Sequence, residues 1–292
     1  TNPSFMNREE YLTVRGAYAP VLQGAFQLWE VGITAPLGEA QSAGFSLFSE
    51  NDGTIETASL DETQNRLIPT SQTLRNDNLM CMVSYARRFF GVLDAGITTG
   101  LAYQSNFGDP IRGIGLDVGC SYEFLDHPQA GNHTVGISTV NLVAPSMGRS
   151  SFFAGRNPDE YSRNLRLSWL GDFFNDRLES GFDVELKDFL SQSNQFGSKD
   201  RTIEWGCSWR AGVWIMRAFT VSGLLGFDRN FVEYWGCVAG MKVPLGGSGK
   251  TVSALYQYNL KTEGDLASSH TAYLLLNLGK SRKQLRDTKQ GQ

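Results

Sequence analysis

The most constraining feature of this sequence is an alternation of apolar and polar character at every second residue, sustained for about ten residues at a time. In residues 178–187, Leu178, Ser180, Phe182, Val184 and Leu186 fall on one side, and Glu179, Gly181, Asp183, Glu185 and Lys187 on the other. Residues 114–124 set Ile114, Leu116, Val118, Cys120, Tyr122 and Phe124 against Gly115, Asp117, Gly119, Ser121 and Glu123. Residues 93–104 do the same, with Leu93, Ala95, Ile97, Thr99, Leu101 and Tyr103 opposite Asp94, Gly96, Thr98, Gly100, Ala102 and Gln104. A period of two belongs to a β-strand with two different faces. A length near ten residues is that of a tilted strand crossing a bilayer.

Weaker strand candidates fill the rest of the chain, at about 9–18, 23–35, 40–49, 53–60, 76–89, 131–143, 161–171, 200–210, 213–227, 231–243, 250–260 and 270–280. That makes fifteen, whereas closed bacterial barrels have an even number, so fourteen are expected, with one short candidate wrong or an extra strand bent inward. Pro36-Leu37-Gly38, Asn51-Asp52-Gly53 and Pro244-Leu245-Gly246-Gly247 read as tight hairpin turns, too short for the crossovers of a parallel sheet. Longer polar connections are expected at about 61–75, 144–160, 190–199 and 261–269. Tight turns alternating with long polar loops suit the two ends of a membrane barrel.

A soluble sandwich or jelly roll also alternates along its strands. The strands here are long for a sandwich and follow one another as a plain meander. Aromatic residues also gather near strand ends, where Trp29, Tyr122, Trp169, Trp205, Trp209, Trp214 and Trp235 are candidates for the membrane interface. The expected fold is all-β, a closed antiparallel up-and-down transmembrane β-barrel of about 14 strands over residues 1–280. Residues 281–292, with Arg282, Lys283, Arg286 and Lys289 against Asp287 alone, read as a basic tail.

Composition removes several other classes. Charged residues make up 19% and the net charge is −4, so the electrostatic footprint of a nucleic-acid-binding protein is missing. No apolar run approaches the length of a membrane-spanning helix. The chain opens at Thr1-Asn2-Pro3 without a charged and then apolar leader, so any export signal has been removed or lies outside this sequence. Cys81, Cys120, Cys207 and Cys237 are too scattered for a zinc site, and read as small packing residues or, in an oxidising compartment, one or two disulfides.

Catalytic motifs are also missing. His127 and His133 flank a turn-like segment and His270 opens the last strand, which suits loop solvation. No nucleophile elbow, phosphate loop or zinc-protease helix is present. Glu50, Asn51 and Asp52 are too few to specify calcium. No catalytic residues, metal or cofactor are therefore expected, and the chain reads as a non-enzyme. The charged residues of the polar faces, Asp94, Asp117, Glu123, Arg166, Glu179, Asp183, Glu185 and Lys187, with Arg87, are candidates for the barrel lumen. There they would pair across strands and hold water, or orient a ligand.

Several runs carry a family resemblance. Gly113-Ile114-Gly115-Leu116-Asp117-Val118-Gly119, followed by Val135-Gly136-Ile137-Ser138 and Asn141-Leu142, resembles the central portion of PorV-like outer-membrane proteins, relatives of the FadL-type long-chain fatty acid transporters. Arg163-Asn164-Leu165-Arg166-Leu167, Trp205-Gly206 and Ser253-Ala254-Leu255-Tyr256-Gln257-Tyr258 are similar to the second half of that family. Ser268-Ser269-His270-Thr271 into Leu276-Asn277-Leu278-Gly279-Lys280 is similar to its last strand, and Asn2-Pro3-Ser4 to the Asn-Pro-Ala segment that precedes its first strands.

The resemblance implies a fourteen-stranded barrel in the outer membrane of a diderm bacterium, serving either type IX protein secretion as an accessory or the uptake of hydrophobic compounds. The family's Gly-Met-Gly-Gly-Ala stretch, which contributes an inward N-terminal plug, is missing from this sequence: either the true start lies outside it or this member has no such hatch, and a gated transport mechanism is in doubt accordingly. The leading expectation is therefore a scaffold in a secretion or surface-assembly complex, touching outer-membrane lipid and a protein partner. The alternative is a FadL-type transporter with a small hydrophobic ligand, against which the charged inward faces weigh.

Overall fold

In the computed structural model the alternating segments close into one antiparallel barrel. The structure describes residues 2–9, 11–21, 26–61, 66–106, 109–127, 131–143, 164–174, 177–187, 204–215, 218–228, 231–245, 250–261 and 268–278. The fourteen strands are β1 (Leu12–Val21), β2 (Phe26–Pro36), β3 (Gln41–Asp61), β4 (Arg66–Phe89), β5 (Leu93–Asn106), β6 (Asp109–His127) and β7 (Gly131–Val143). They continue with β8 (Asn164–Phe173), β9 (Leu178–Lys187), β10 (Glu204–Ile215), β11 (Phe219–Asp228), β12 (Phe231–Pro244), β13 (Thr251–Lys261) and β14 (Ser268–Leu278). Each pairs with its chain neighbours, and β1 pairs with β14 to seal the barrel. At that seam the Thr13 hydroxyl donates to Asn277 Oδ1 at 3.0 Å, and Asn277 in turn donates to Thr251 Oγ1 at 3.2 Å. Closure leaves no sheet edge, which a bilayer requires because it offers backbone groups no water.

The distribution of burial is inside-out relative to a water-soluble domain. Among the described residues the buried apolar side chains are Pro3, Ala19, Ala86 and Ala102, all small, while Asn2, Ser4, Asn7, Ser42, Asp94, Ser121, Thr134 and Ser138 are all buried. The exposed large side chains are apolar, among them Val31, Ile33, Val83, Ile97, Leu101, Ile114, Ile137, Leu167, Val213, Val221 and Leu274. Lipid is the solvent for the outer surface, and the polar groups face a lumen. Cys81, Cys120, Cys207 and Cys237 are all free. They share the outward side of β4, β6, β10 and β12 with Val83, Tyr122, Trp205 and Trp235, so no two neighbouring strands bring a pair together and the disulfide expectation is not met.

Four sequence expectations change. Residues 53–60 are not a separate strand, and 61–75 is not a loop: both belong to one long hairpin, β3 with β4, paired out to Asp61↔Arg66. Asn51-Asp52-Gly53 marks a register shift inside it rather than a turn. The boundary read at 210–213 falls instead after Ile215, which turns straight back to Phe219. The turn at Pro244 is present, with the Leu245 N–H donating to the Lys250 carbonyl at 2.8 Å. The basic tail at 281–292 and the long connections at 144–160 and 190–199 lie outside the described residues.

Candidate functional site: a plugged lumen

Asn2 is followed by Pro3, a pairing that starts helices, since Asn caps the free N–H groups and proline has none to leave unpaired. The result is a short 3-10 helix, Pro3–Arg8, in which the Asn2 side chain accepts from the Ser4 N–H at 3.0 Å. This segment lies inside the barrel, against the inward faces of β3, β4, β5 and β6. The Gly-Met-Gly-Gly-Ala stretch is absent, yet residues 2–8 occupy the lumen, so of the two readings of that absence the one in which this member has no inward segment is corrected.

The wall beneath the plug is cut to receive it. Gly96 and Gly119 pair directly across β5 and β6. A Cβ at Gly96 would stand 2.5 Å from the Pro3 backbone, one at Gly119 would strike the Asn2 side chain, and one at Gly136 would come within 2.9 Å of the Phe5 ring. Hydrogen bonds then fix the register. Asn2 Nδ2 donates to the Cys120 and Ile137 carbonyls at 3.4 and 3.3 Å, and the Ser4 hydroxyl bonds to Ser121 Oγ at 2.9 Å. Asn7 Nδ2 donates to Asp94 Oδ1 at 2.6 Å, and Ser42 Oγ donates to Asn7 Oδ1 at 3.1 Å. Asp94 is 2% exposed and is held by Arg88, whose Nε and Nη2 reach its two oxygens at 3.0 and 2.8 Å. This forked pairing is the strong geometry for arginine and carboxylate. Arg88 also reaches Glu123 at 3.3 Å, and Arg8 meets Asp172 of β8 at 3.3 Å. Asp94 and Asp172 stand beside the β4–β5 and β8–β9 turns, so the plug sits at the short-turn mouth, which faces the periplasm in barrels of this kind.

The remaining charged candidates lie along the same inward face but farther from the plug. Glu185 accepts from Arg166 and Asn164, both at 3.1 Å, and Asp183 accepts from Ser168 across β8 and β9. Glu179 accepts from the indole N–H of Trp214 at 2.7 Å, with the Lys242 ammonium 5.9 Å from that ring. Asp117 accepts from the backbone N–H of Asn141 at 2.6 Å. Lys187 ends β9, and its side chain lies outside the described residues. Arg87, grouped with these from sequence, points outward and lies 5.5 Å over Phe89; the inward cation is its neighbour Arg88.

Of the aromatic candidates, Trp29, Tyr122, Trp205, Trp209 and Trp235 are exposed on the outer surface. Trp169 packs outward against His133 and Phe173, with ring centroids 5.6 and 6.3 Å apart. Trp214 is the exception, because it alternates with the outward Val213 and Ile215 and so points into the lumen. The histidines differ from the solvated-loop expectation. His133 stands in β7 among Phe124, Trp169 and Phe173, and His270 stands in β14 bonded to the Tyr256 hydroxyl and 5.0 Å from the Tyr258 ring. His127 ends β6, its backbone paired with Gly131, and its side chain lies outside the described residues.

The lumen is not uniformly charged. Leu28, Phe48, Met80, Met82, Leu224, Val238, Leu255 and Leu275 occupy the inward positions of their strands, between the exposed outward residues. Among the described residues, no group of His, Cys, Asp and Glu is arranged to hold a metal ion.

No protein-family model and no curated protein matches the sequence. The fold does match solved structures. The CymD monoaromatic hydrocarbon channel superposes with a TM-score of 0.61 at 12% identity, over 94% of this chain and 90% of that one. The Pseudomonas putida toluene transporter TodX gives 0.58 at 10% identity, over 94% and 90%. A Pseudomonas aeruginosa FadL homologue gives 0.51 at 9%, over 94% and 91%. These likenesses concern the barrel alone. Together with the apolar belt and polar plugged interior, they make the chain a fourteen-stranded outer-membrane β-barrel of a diderm bacterium, built on the architecture of the FadL-type transporters.

Proposed function

We propose that this protein is a non-enzymatic outer-membrane transporter for small hydrophobic molecules. The observation that carries the reading is the seat of residues 2–8 in the lumen: a wall of glycines and buried hydrogen-bonding groups holds a separate segment of chain where a scaffold would need only a filled or open barrel. The leading expectation from sequence, a secretion scaffold, drew on the resemblance, the long polar loops and the missing plug, and the segment seated in the lumen removes the last of these. The transport reading is also supported by the inward apolar residues, and by the resemblance in fold to CymD and TodX, whose own names describe hydrocarbon passage.

The test is uptake of labelled p-xylene by cells with an intact lipopolysaccharide layer, producing or lacking this protein, combined with mild-detergent extraction and mass spectrometry of what co-elutes. Uptake several-fold faster in the producing cells is expected. Unchanged uptake together with a stoichiometric protein partner would overturn the transporter in favour of the scaffold.

A further inference from the structure

On the lumenal wall above the plug, Met80, Met82, Thr98, Gly100, Ala102, Gly115, Asp117 and Asn141 surround a niche of about 20 Å³, room for one water-sized group. Its floor is irregular backbone. The β6–β7 ladder slips register between Leu116 and Val118, and Asn141 on the facing strand adopts φ of 56°. Left-handed backbone is unfavourable for a residue with a side chain, and bulges that contain it re-aim nearby groups. Here the distortion turns the Asn141 N–H onto Asp117 Oδ1 at 2.6 Å. Among the described residues, nothing donates to the second oxygen of Asp117 and no cation pairs with it, unlike Asp94, Asp172, Glu30 and Glu185. The other polar side chains of the niche are the Asn141 carboxamide, which has a partner of its own, and the Thr98 hydroxyl, which is engaged with Ser84 Oγ at 2.7 Å. The rest of the lining is thioether, methyl and glycine.

From this geometry we infer that the niche is a head-group subsite selecting hydrophobic molecules that carry one hydroxyl, phenols above all, over hydrocarbons of the same shape. The hydroxyl donates to Asp117 Oδ2 while the ring lies against Met80, Met82 and Ala102, whose flexible thioethers adapt to its outline. A hydrocarbon in the same place leaves the second carboxylate oxygen desolvated and without a donor, and a site built around a hydrogen bond discriminates against ligands that lack the group. The inference rests on the transport reading and narrows its substrate class.

The probes are p-cresol and p-xylene, which share a ring and differ by hydroxyl against methyl. Equilibrium binding to the full purified chain in detergent is expected to favour p-cresol by about 10- to 100-fold, the range of one hydrogen bond to a charged acceptor. Asp117→Asn keeps the acceptor for Asn141 and should bring the two ligands close to parity. Gly100→Ala, whose added methyl presses only on the movable Met82 chain at 3.3 Å and stands at ordinary contact distance from the Cys81 carbonyl and Met80, should weaken p-cresol more than p-xylene and covers the case in which the Asp117 variant fails to form a barrel. Equal binding of both ligands to the unaltered protein, or a preference that survives both substitutions, would overturn the subsite and leave transport standing. Failure of either ligand to bind, with no faster uptake of either by producing cells, would overturn the transport reading and the subsite with it.

Discussion

The two halves of the lumenal wall are built on different principles. Under the plug, the inward positions of β3 and β5 to β7 are small: Ser42, Ser46, Gly96, Gly119, Ser121 and Gly136, several of them too close to the plug for any side chain. Across the lumen, β8 to β10 carry Arg166, Asp183, Glu185, Glu179 and Trp214, while β13 and β14 carry Gln257 and Tyr273, whose hydroxyl donates to Gln257 at 3.3 Å. One wall is a socket for backbone. The other is a ladder of long side chains that bond to one another, and it reaches the plug where Arg8 meets Asp172. A barrel of fourteen strands is too wide for its own side chains to fill, and this chain has solved the two sides separately.

The largest effect should fall on what both halves share, their lipid-facing surface. Ile97→Arg behind the socket and Val184→Arg behind the ladder should each destabilise the inserted barrel by about 2–4 kcal/mol at mid-bilayer depth. Urea titration in lipid vesicles measures this, with Glu185→Gln as the lumenal control expected to do far less; equal tolerance of Val184→Arg and Glu185→Gln would refute the facing assigned to β9. The next effect separates the halves. Asn7→Ala removes a donor to the buried Asp94 carboxylate and should loosen the plug by about 1.5–3 kcal/mol, seen as more frequent opening in single-channel recordings without loss of the barrel.

Overpacking the socket sharpens the same contrast. Gly96→Val forces a side chain against the Pro3 backbone, with a penalty of about 1–3 kcal/mol that displacement of the plug relieves, so conductance should rise. Gly206→Ala on the ladder side has only the Phe227 carbonyl at 3.5 Å and should leave conductance unchanged. The smallest effect is expected for Trp214→Phe. It deletes a hydrogen bond to the Glu179 carboxylate, which is part-buried and open to solvent where Asp94 is not, so the loss should fall below the charged-acceptor range, at about 0.5–1.5 kcal/mol; an unaltered unfolding midpoint would show that solvent replaces the indole fully.

Most of the barrel was legible because alternation is a local property. In 114–124 and 178–187 every outward and inward position can be read by parity, and the structure has the same two faces. Trp214 shows how that reading fails. Dividing 200–227 at residues 210–213 hides the parity that joins Trp205, Trp209, Val213 and Ile215 on one face and leaves Trp214 on the other. The β3–β4 hairpin fails differently. Beyond Asn51 and before Asn76 these strands pair only with each other, so the pattern that a closed wall imposes does not apply and the sequence resembles a loop. The plug was partly legible in the helix-starting Asn2-Pro3. The socket that receives it was not, because glycines scattered over three strands acquire meaning only when Gly96 and Gly119 stand side by side with Gly136 on the next strand. Asp117 was visible as an inward acid, but the slip in register that turns Asn141 toward it depends on strand pairing that no single segment encodes.

The outward position of all four cysteines has a chemical consequence. Reagents dissolved in water do not enter hydrocarbon, so sulfhydryls that face lipid are slow to meet them. The protein is thus chemically quiet on its aqueous side as far as its native cysteines go. A single cysteine placed on the inward side, at Ser222 for instance, would be the one fast-reacting sulfur in the molecule, and its rate of alkylation would track how often the lumen stands open to each side of the membrane.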